Sequence, residues 1–149
     1  MILRWLFATV HLLTLPLGLG AIWARSRALR RVRSSEDLPA VFVADNLWGL
    51  AAVLWIGTGL VRAFGGLEKG TAYYLHDRVF YAKMGLLVVI LLLEIWPMTT
   101  LIRWRVSLRR GSPIVTTLAP ALARISDIQT GVVVLMVFAA TALARGLFF

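Results

Sequence analysis

Long apolar runs alternate with short arginine-rich segments along this chain. Four runs, roughly residues 5–24, 44–64, 80–101 and 124–144, each hold the ~20 residues that a helix needs to cross a bilayer. The apolar excess sits in continuous runs and does not alternate with polar residues, which points to buried or lipid-facing helices. The pattern predicts an all-α fold: an integral membrane bundle of four transmembrane helices, forming one domain over residues 1–149. Trp5, Trp23, Trp48, Trp96 and Trp104 fall at or near run ends, as interfacial aromatic belts do.

The segments between the runs add boundaries and an orientation. Ser34 precedes Asp37 by three residues, a spacing that lets each side chain bond to the free N–H groups of a first helical turn. Helix two is therefore expected to start before its apolar run, with Pro39 tolerated near its beginning. Arg25, Arg27, Arg30, Arg31 and Arg33 follow the first run, and Arg103, Arg105, Arg109 and Arg110 follow the third. The middle connection, 65–79, sets Lys69 and Arg78 against Glu68 and Asp77. The positive-inside rule then places loops one and three in the cytoplasm and both termini outside, in the periplasm of a bacterial inner membrane. The middle connection reads as a glycine turn and a short aromatic segment, with Tyr73 and Tyr74 as interfacial anchors and His76 as a surface histidine. Segment 106–123 holds Gly111, Pro113 and Pro120 and is expected to be a broken cytoplasmic stretch.

Composition supports this picture. Sixty per cent of the residues are apolar and the mean hydropathy is +0.83, above the usual soluble range. The formal charge of +9 would suggest nucleic acid in a soluble protein, but no nucleic-acid-binding signature accompanies it. The positive-inside reading explains the charge better. The chain has no cysteine, which excludes disulfides, thiolate metal sites and thiol catalysis. The first run has only Arg4 before it and the arginines after it, the reverse of a cleaved signal peptide, so it is expected to be retained as a helix.

Charges inside the runs are the candidate functional residues, because a charged side chain at mid-membrane costs roughly 2.5–3.5 kcal/mol on insertion scales. Helical spacing puts His11, Thr14 and Gly18 on one face of helix one. Asp45, Gly49, Ala52 and Gly59 share a side of helix two, and Asp127, Gly131, Thr141 and Arg145 form a stripe on helix four. Lys83 and Glu94 point the same way on helix three, about 16 Å apart at the usual rise. Under the expected topology Arg62, Lys83 and Arg145 gather near the outer ends, while Asp45, Glu94 and Asp127 lie towards the inner side. Asp45 and Asp127 also read as charges favouring helix N-termini, and Arg62, Lys83 and Arg145 as snorkelling side chains. Glu94 lies deep enough to need a partner or a proton. His11 is open to two readings, an interhelical hydrogen bond or a haem or metal ligand. No serine-nucleophile elbow, phosphate-binding glycine loop or HExxH is present.

With these residues in view, the chain resembles an uncharacterised bacterial family of four-helix membrane proteins, domain of unknown function 2214. The likeness spans nearly the whole chain. It is carried by His11, Asp45 with Trp48-Gly49, Gly59 with Arg62, Lys69-Gly70, Tyr73-Tyr74, Phe80 with Lys83, and Pro97 with Arg103-Trp104. The family implies no activity. A fainter resemblance links His11 and Lys83 to the first-helix histidine and third-helix lysine of HemJ-type protoporphyrinogen oxidases, which bind haem b. Membrane proteins of the CopD type share a similar layout. Glu94 departs from the oxidase pattern, where histidine or an aromatic residue is expected.

Three functional readings follow. The first is a non-catalytic accessory or scaffold subunit of a larger respiratory or photosynthetic membrane complex, in contact with membrane lipids and with other subunits or further copies of itself. The second is a haem-b redox protein with His11 as an axial ligand and Lys83 on a carboxylate of the haem or substrate. The third is a proton-linked carrier of small solutes with Glu94, Lys83 and Asp127 as a relay.

Overall fold

The computed structural model describes residues 1–65 and 78–145. These form four long helices: α1 (Ile2–Arg31), α2 (Leu38–Phe64), α3 (Arg78–Arg109) and α4 (Ala119–Arg145). All four are long and apolar enough to cross a membrane. No strand occurs among the described residues. Neighbouring helices run antiparallel, as shown by pairings such as His11 with Thr58 and Arg25 with Asp45. The links α1–α2 and α3–α4 therefore share one end of the bundle, and the described ends of α1 and α4 lie at the other.

All four helices extend past their apolar runs at the link end, α2 beginning at Leu38 just after its capping residues. α1 continues to Arg31, α3 continues to Arg109, and α4 begins at Ala119. Hydropathy marks the thickness of the bilayer, whereas arginine is a good helix former and carries a helix on into water. Most of the arginines expected in loops one and three are thus on helix ends. Only Arg33 and Arg110 stand in the links. Asp45 and Asp127 are correspondingly far inside their helices, so neither serves a helix N-terminus.

Each link has a local reason to turn. Ser34 accepts a hydrogen bond from the Glu36 N–H at 3.3 Å, while the Asp37 carboxylate accepts from the N–H groups of Ser34 and Arg33 at 3.0 and 2.7 Å. This is the expected capping box, built on a short 3₁₀ turn (Ser35–Asp37) ahead of α2. Pro39 lies in the first turn of α2, where its missing N–H has no partner to lose. At the end of α3, Gly111 has a φ of +63°. The Ser112 N–H reaches the Ser107 carbonyl at 2.9 Å, and the Gly111 N–H reaches Leu108 at 3.2 Å. That pair of bonds satisfies otherwise orphaned carbonyls, and Pro113 prevents the helix from resuming.

The core is thickest at the link end, where Leu29, Leu38, Val41, Leu101, Trp104 and Leu122 are buried together. Ile22, Trp48, Ile90, Val133 and Met136 fill the middle. Small residues bring α1 close to α2: a Cβ on Gly18 would lie 3.4 Å from that of Ala51. Such contacts drive association where lipid offers no hydrophobic contrast. α1 packs along α2 and α4, and α3 packs along α4. α2 and α3 face each other across a seam bridged by long side chains.

Two of the faces grouped by helical spacing do not turn into the bundle. On α4 the buried stripe is Ala119, Leu122, Ala123, Ser126, Gln129, Val133 and Met136, whereas Asp127, Gly131, Thr141 and Arg145 are exposed. On α2 the buried face runs through Ala44, Trp48, Ala51 and Thr58, with Asp45 at its edge and Gly49 in open space. Bulk and packing fix these faces, and small size alone does not. Trp48 and Trp104 are likewise core residues, while Trp5, Trp23 and Trp96 are exposed as belt residues should be.

Candidate functional site

The centre of the bundle is organised by Arg25. Its place on α1 follows from the helical repeat: His11, Thr14, Gly18, Ile22 and Arg25 share the stripe that faces the other helices. The side chain is fully buried, at 0% exposure, and all five of its N–H donors are used. Nε donates to Ser126 Oγ at 3.1 Å. Nη1 donates to Asp45 Oδ1 at 2.9 Å and to Glu94 Oε1 at 2.7 Å. Nη2 donates to Glu94 Oε2 at 2.9 Å and to Gln129 Oε1 at 2.9 Å.

The acceptors are tied to one another in turn. Glu94 Oε2 also receives the indole N–H of Trp48 at 3.0 Å and the Gln129 amide at 2.7 Å. The same amide reaches the Ile90 carbonyl at 3.3 Å. The second oxygen of Asp45 accepts from Arg105 Nη2 at 2.8 Å. Arg105 is further held by Asn46 Oδ1 at 2.7 Å and lies 4.8 Å over the ring of Phe42. All four helices contribute: Arg25 from α1, Asp45 and Trp48 from α2, Glu94 and Arg105 from α3, Ser126 and Gln129 from α4. Two arginines balance two carboxylates, so the cluster is neutral. A neutral, internally bonded cluster is the form in which charges are tolerated in a low-dielectric interior, although Arg105 Nε is buried without a hydrogen-bond partner.

Glu94 therefore has the partner its depth demanded, in Arg25, and Asp45 belongs to the same cluster. The other expected site residues lie elsewhere. Asp127 is at the rim, where it accepts from Ser26 at 2.5 Å and pairs with Arg30. His11 is towards the far end, with Nδ1 2.8 Å from Thr58 Oγ1 and its ring against Trp55 at a centroid distance of 5.9 Å. A Cβ on Gly59 would stand 3.4 Å from the His11 ring, so glycine makes room for the imidazole. Lys83 and Arg62 lie near enough to act electrostatically on His11. The proposed relay of Glu94, Lys83 and Asp127 is thus divided among three separate environments. Glu68, Lys69, Gly70, Tyr73, Tyr74, His76 and Asp77 lie outside the described residues.

The sequence reading missed Arg25, Arg105, Ser126 and Gln129 as members of a site. Arg25 stands with the loop-one arginines by sequence, although it continues the three- and four-residue spacing of His11, Thr14 and Gly18. Trp48 was read as an interfacial anchor, yet its N–H needs a partner wherever the ring is buried.

Among the described residues, no group of three or more histidine, aspartate and glutamate side chains is placed to hold a metal ion. Searches of curated proteins and of solved structures find no match, and the likeness to HemJ-type and CopD-type proteins is not supported by them. A family model described as "Predicted membrane protein (DUF2214)" matches residues 3–147. The chain belongs to that family of membrane proteins, and its four apolar helices are those of a multi-pass member.

Proposed function

We propose that the chain is a non-catalytic scaffold subunit of a larger complex in the bacterial inner membrane. Its two links would face the cytoplasm, with both termini in the periplasm. The observation that carries this reading is the internal pairing of Arg25 and Glu94 in the central network. Every donor of Arg25 and both oxygens of Glu94 are engaged by the chain itself. Such a cluster holds four helices in one register, and neither Arg25 nor the two carboxylates offer a free group to a substrate; Arg105 Nε, at its edge, is buried without a hydrogen-bond partner. The outer faces are apolar, including Leu50, Val53, Leu92, Leu135 and Phe138, and are available to lipid or to neighbouring helices.

The arginines at the link end support the orientation. Arg27, Arg31, Arg33, Arg103, Arg109, Arg110 and Arg124 outnumber Glu36 and Asp37 there, once the Arg30–Asp127 and Arg105–Asp45 pairs are set aside. Native electrophoresis of mildly solubilised membranes, with the chain tagged at its chromosomal locus, tests the proposal. Co-migration with other membrane proteins in a defined larger species is expected. A lone 16.5 kDa chain, or a simple homodimer, would contradict it.

A further inference from the structure

The two links enclose a cleft of about 480 Å³ that is separate from the central network. One wall carries Arg33, Ser34 and Ser35 from the first link. The other carries Ser112 and Thr116 from the second. We propose that this cleft binds a phosphate group, as an anionic phospholipid headgroup or as free phosphate.

The donor set fits that chemistry. A guanidinium offers paired N–H groups to phosphate oxygens, and hydroxyls complete the shell. Ser34 Oγ already accepts a bond from the Glu36 N–H, which leaves its own O–H free to donate outward. Arg109 and Arg110 immediately precede Gly111, which lines the same cleft, and they raise the local positive potential. Two carboxylates stand near. Asp37 is turned onto the N–H groups of Arg33 and Ser34, so part of its charge is already met by the backbone, while Glu36 is exposed.

The remaining lining gives the phosphate its setting. Leu108, Pro113 and Ile114 give the second wall an apolar part, and Ile114 packs onto the link-end core. Val115 and Leu118 are exposed beside it. Polar and apolar lining together match a lipid whose phosphate sits above its acyl chains.

Native mass spectrometry of the full chain in detergent, titrated with phosphatidylglycerol or phosphatidylcholine, tests this. Phosphatidylglycerol should be retained in preference, and Arg33→Gln or Thr116→Val should weaken its retention about tenfold, the equivalent of one charge-assisted hydrogen bond. Arg124→Gln, an exposed arginine outside the cleft, should leave retention unchanged. The thermal midpoint of each variant should match the parent, because none touches the Arg25 network. Competition by millimolar inorganic phosphate would assign the site to free phosphate, and its failure would assign it to the lipid. Equal retention of both lipids, with no phosphate adduct at millimolar inorganic phosphate, would overturn the proposal. So would an equal loss in Arg124→Gln, which would mean diffuse charge attraction with no site.

Discussion

Arg25 on α1 and Glu94 on α3 meet end-on in the middle of the bundle, through parallel hydrogen bonds of 2.7 and 2.9 Å from Nη1 and Nη2. α1 and α3 are not the closest neighbours in the fold, and this pair joins them across its centre. Asp45, Trp48, Ser126 and Gln129 then tie the pair to α2 and α4. The geometry is bidentate, which arginine provides and lysine does not. Arg25→Lys should therefore lose about 1–3 kcal/mol of stability despite keeping its charge. Thermal unfolding in a mild detergent would measure it, and a midpoint equal to the parent's would show that the planar fork is dispensable.

Trp48 gives the cluster one neutral donor, at 3.0 Å from Glu94. Trp48→Phe keeps an aromatic ring in the core but removes that bond. The expected cost is about 1–3 kcal/mol, since the lost partner is a carboxylate. Trp48→Leu should cost more, because ring packing against Gly18 is lost as well. A Trp48→Phe midpoint equal to the parent's would show that the indole N–H contributes nothing, and equal stability of the two variants would show the same of the ring packing.

His11 behaves in this structure as a packing and hydrogen-bonding residue against Thr58, Trp55 and Gly59. Thr58→Val should remove the hydrogen bond at nearly constant volume and cost about 1 kcal/mol. Gly59→Leu should be worse, because its side chain must occupy the place of the imidazole. Stability of Gly59→Leu equal to the parent's would show that the ring does not sit there.

The chain contains no cysteine, which makes topology directly measurable with single introduced thiols. Ser35→Cys and Ser112→Cys mark the two links, and Arg4→Cys marks the N-terminal end. A membrane-impermeant maleimide added to intact spheroplasts is expected to label Arg4→Cys and to spare the other two until the membrane is opened. The reverse pattern would invert the proposed orientation while leaving the fold unchanged.

Gly111 ends α3 in a left-handed conformation, with φ at +63°. A Cβ there meets no neighbour, so the cost of Gly111→Ala is purely conformational, about 1–2 kcal/mol. Hydrogen exchange of the Ser112 amide, bonded to Ser107, should quicken in the variant. Unchanged exchange and unchanged stability would mean that the turn does not depend on glycine.

Much of the fold was legible in the sequence because bilayer thickness imposes a length on each apolar run. The site was legible only in part. Glu94 announced itself by depth, and His11, Thr14 and Gly18 marked the inner face of α1. Arg25 was hidden by its company, since it opens a series of arginines that reads as a loop, yet the helix continues through Arg31. Asp127 misled in the opposite way. It falls on an apolar run, but α4 presents Ser126 and Gln129 inward and leaves Asp127 to the rim. Choosing between those faces depends on which helix lies opposite, and spacing along one helix does not carry that information.

Arg25 and Glu94 form a structural clamp within a neutral cluster. A double-mutant cycle of Arg25→Met, Glu94→Met and the pair, read by unfolding free energy in detergent, tests it most directly. Each single variant leaves an uncompensated buried charge, expected to cost about 3–5 kcal/mol. The double variant leaves Asp45 with Arg105, again neutral, and should be more stable than either single variant. Additive losses, with the double variant the least stable of all, would contradict the account.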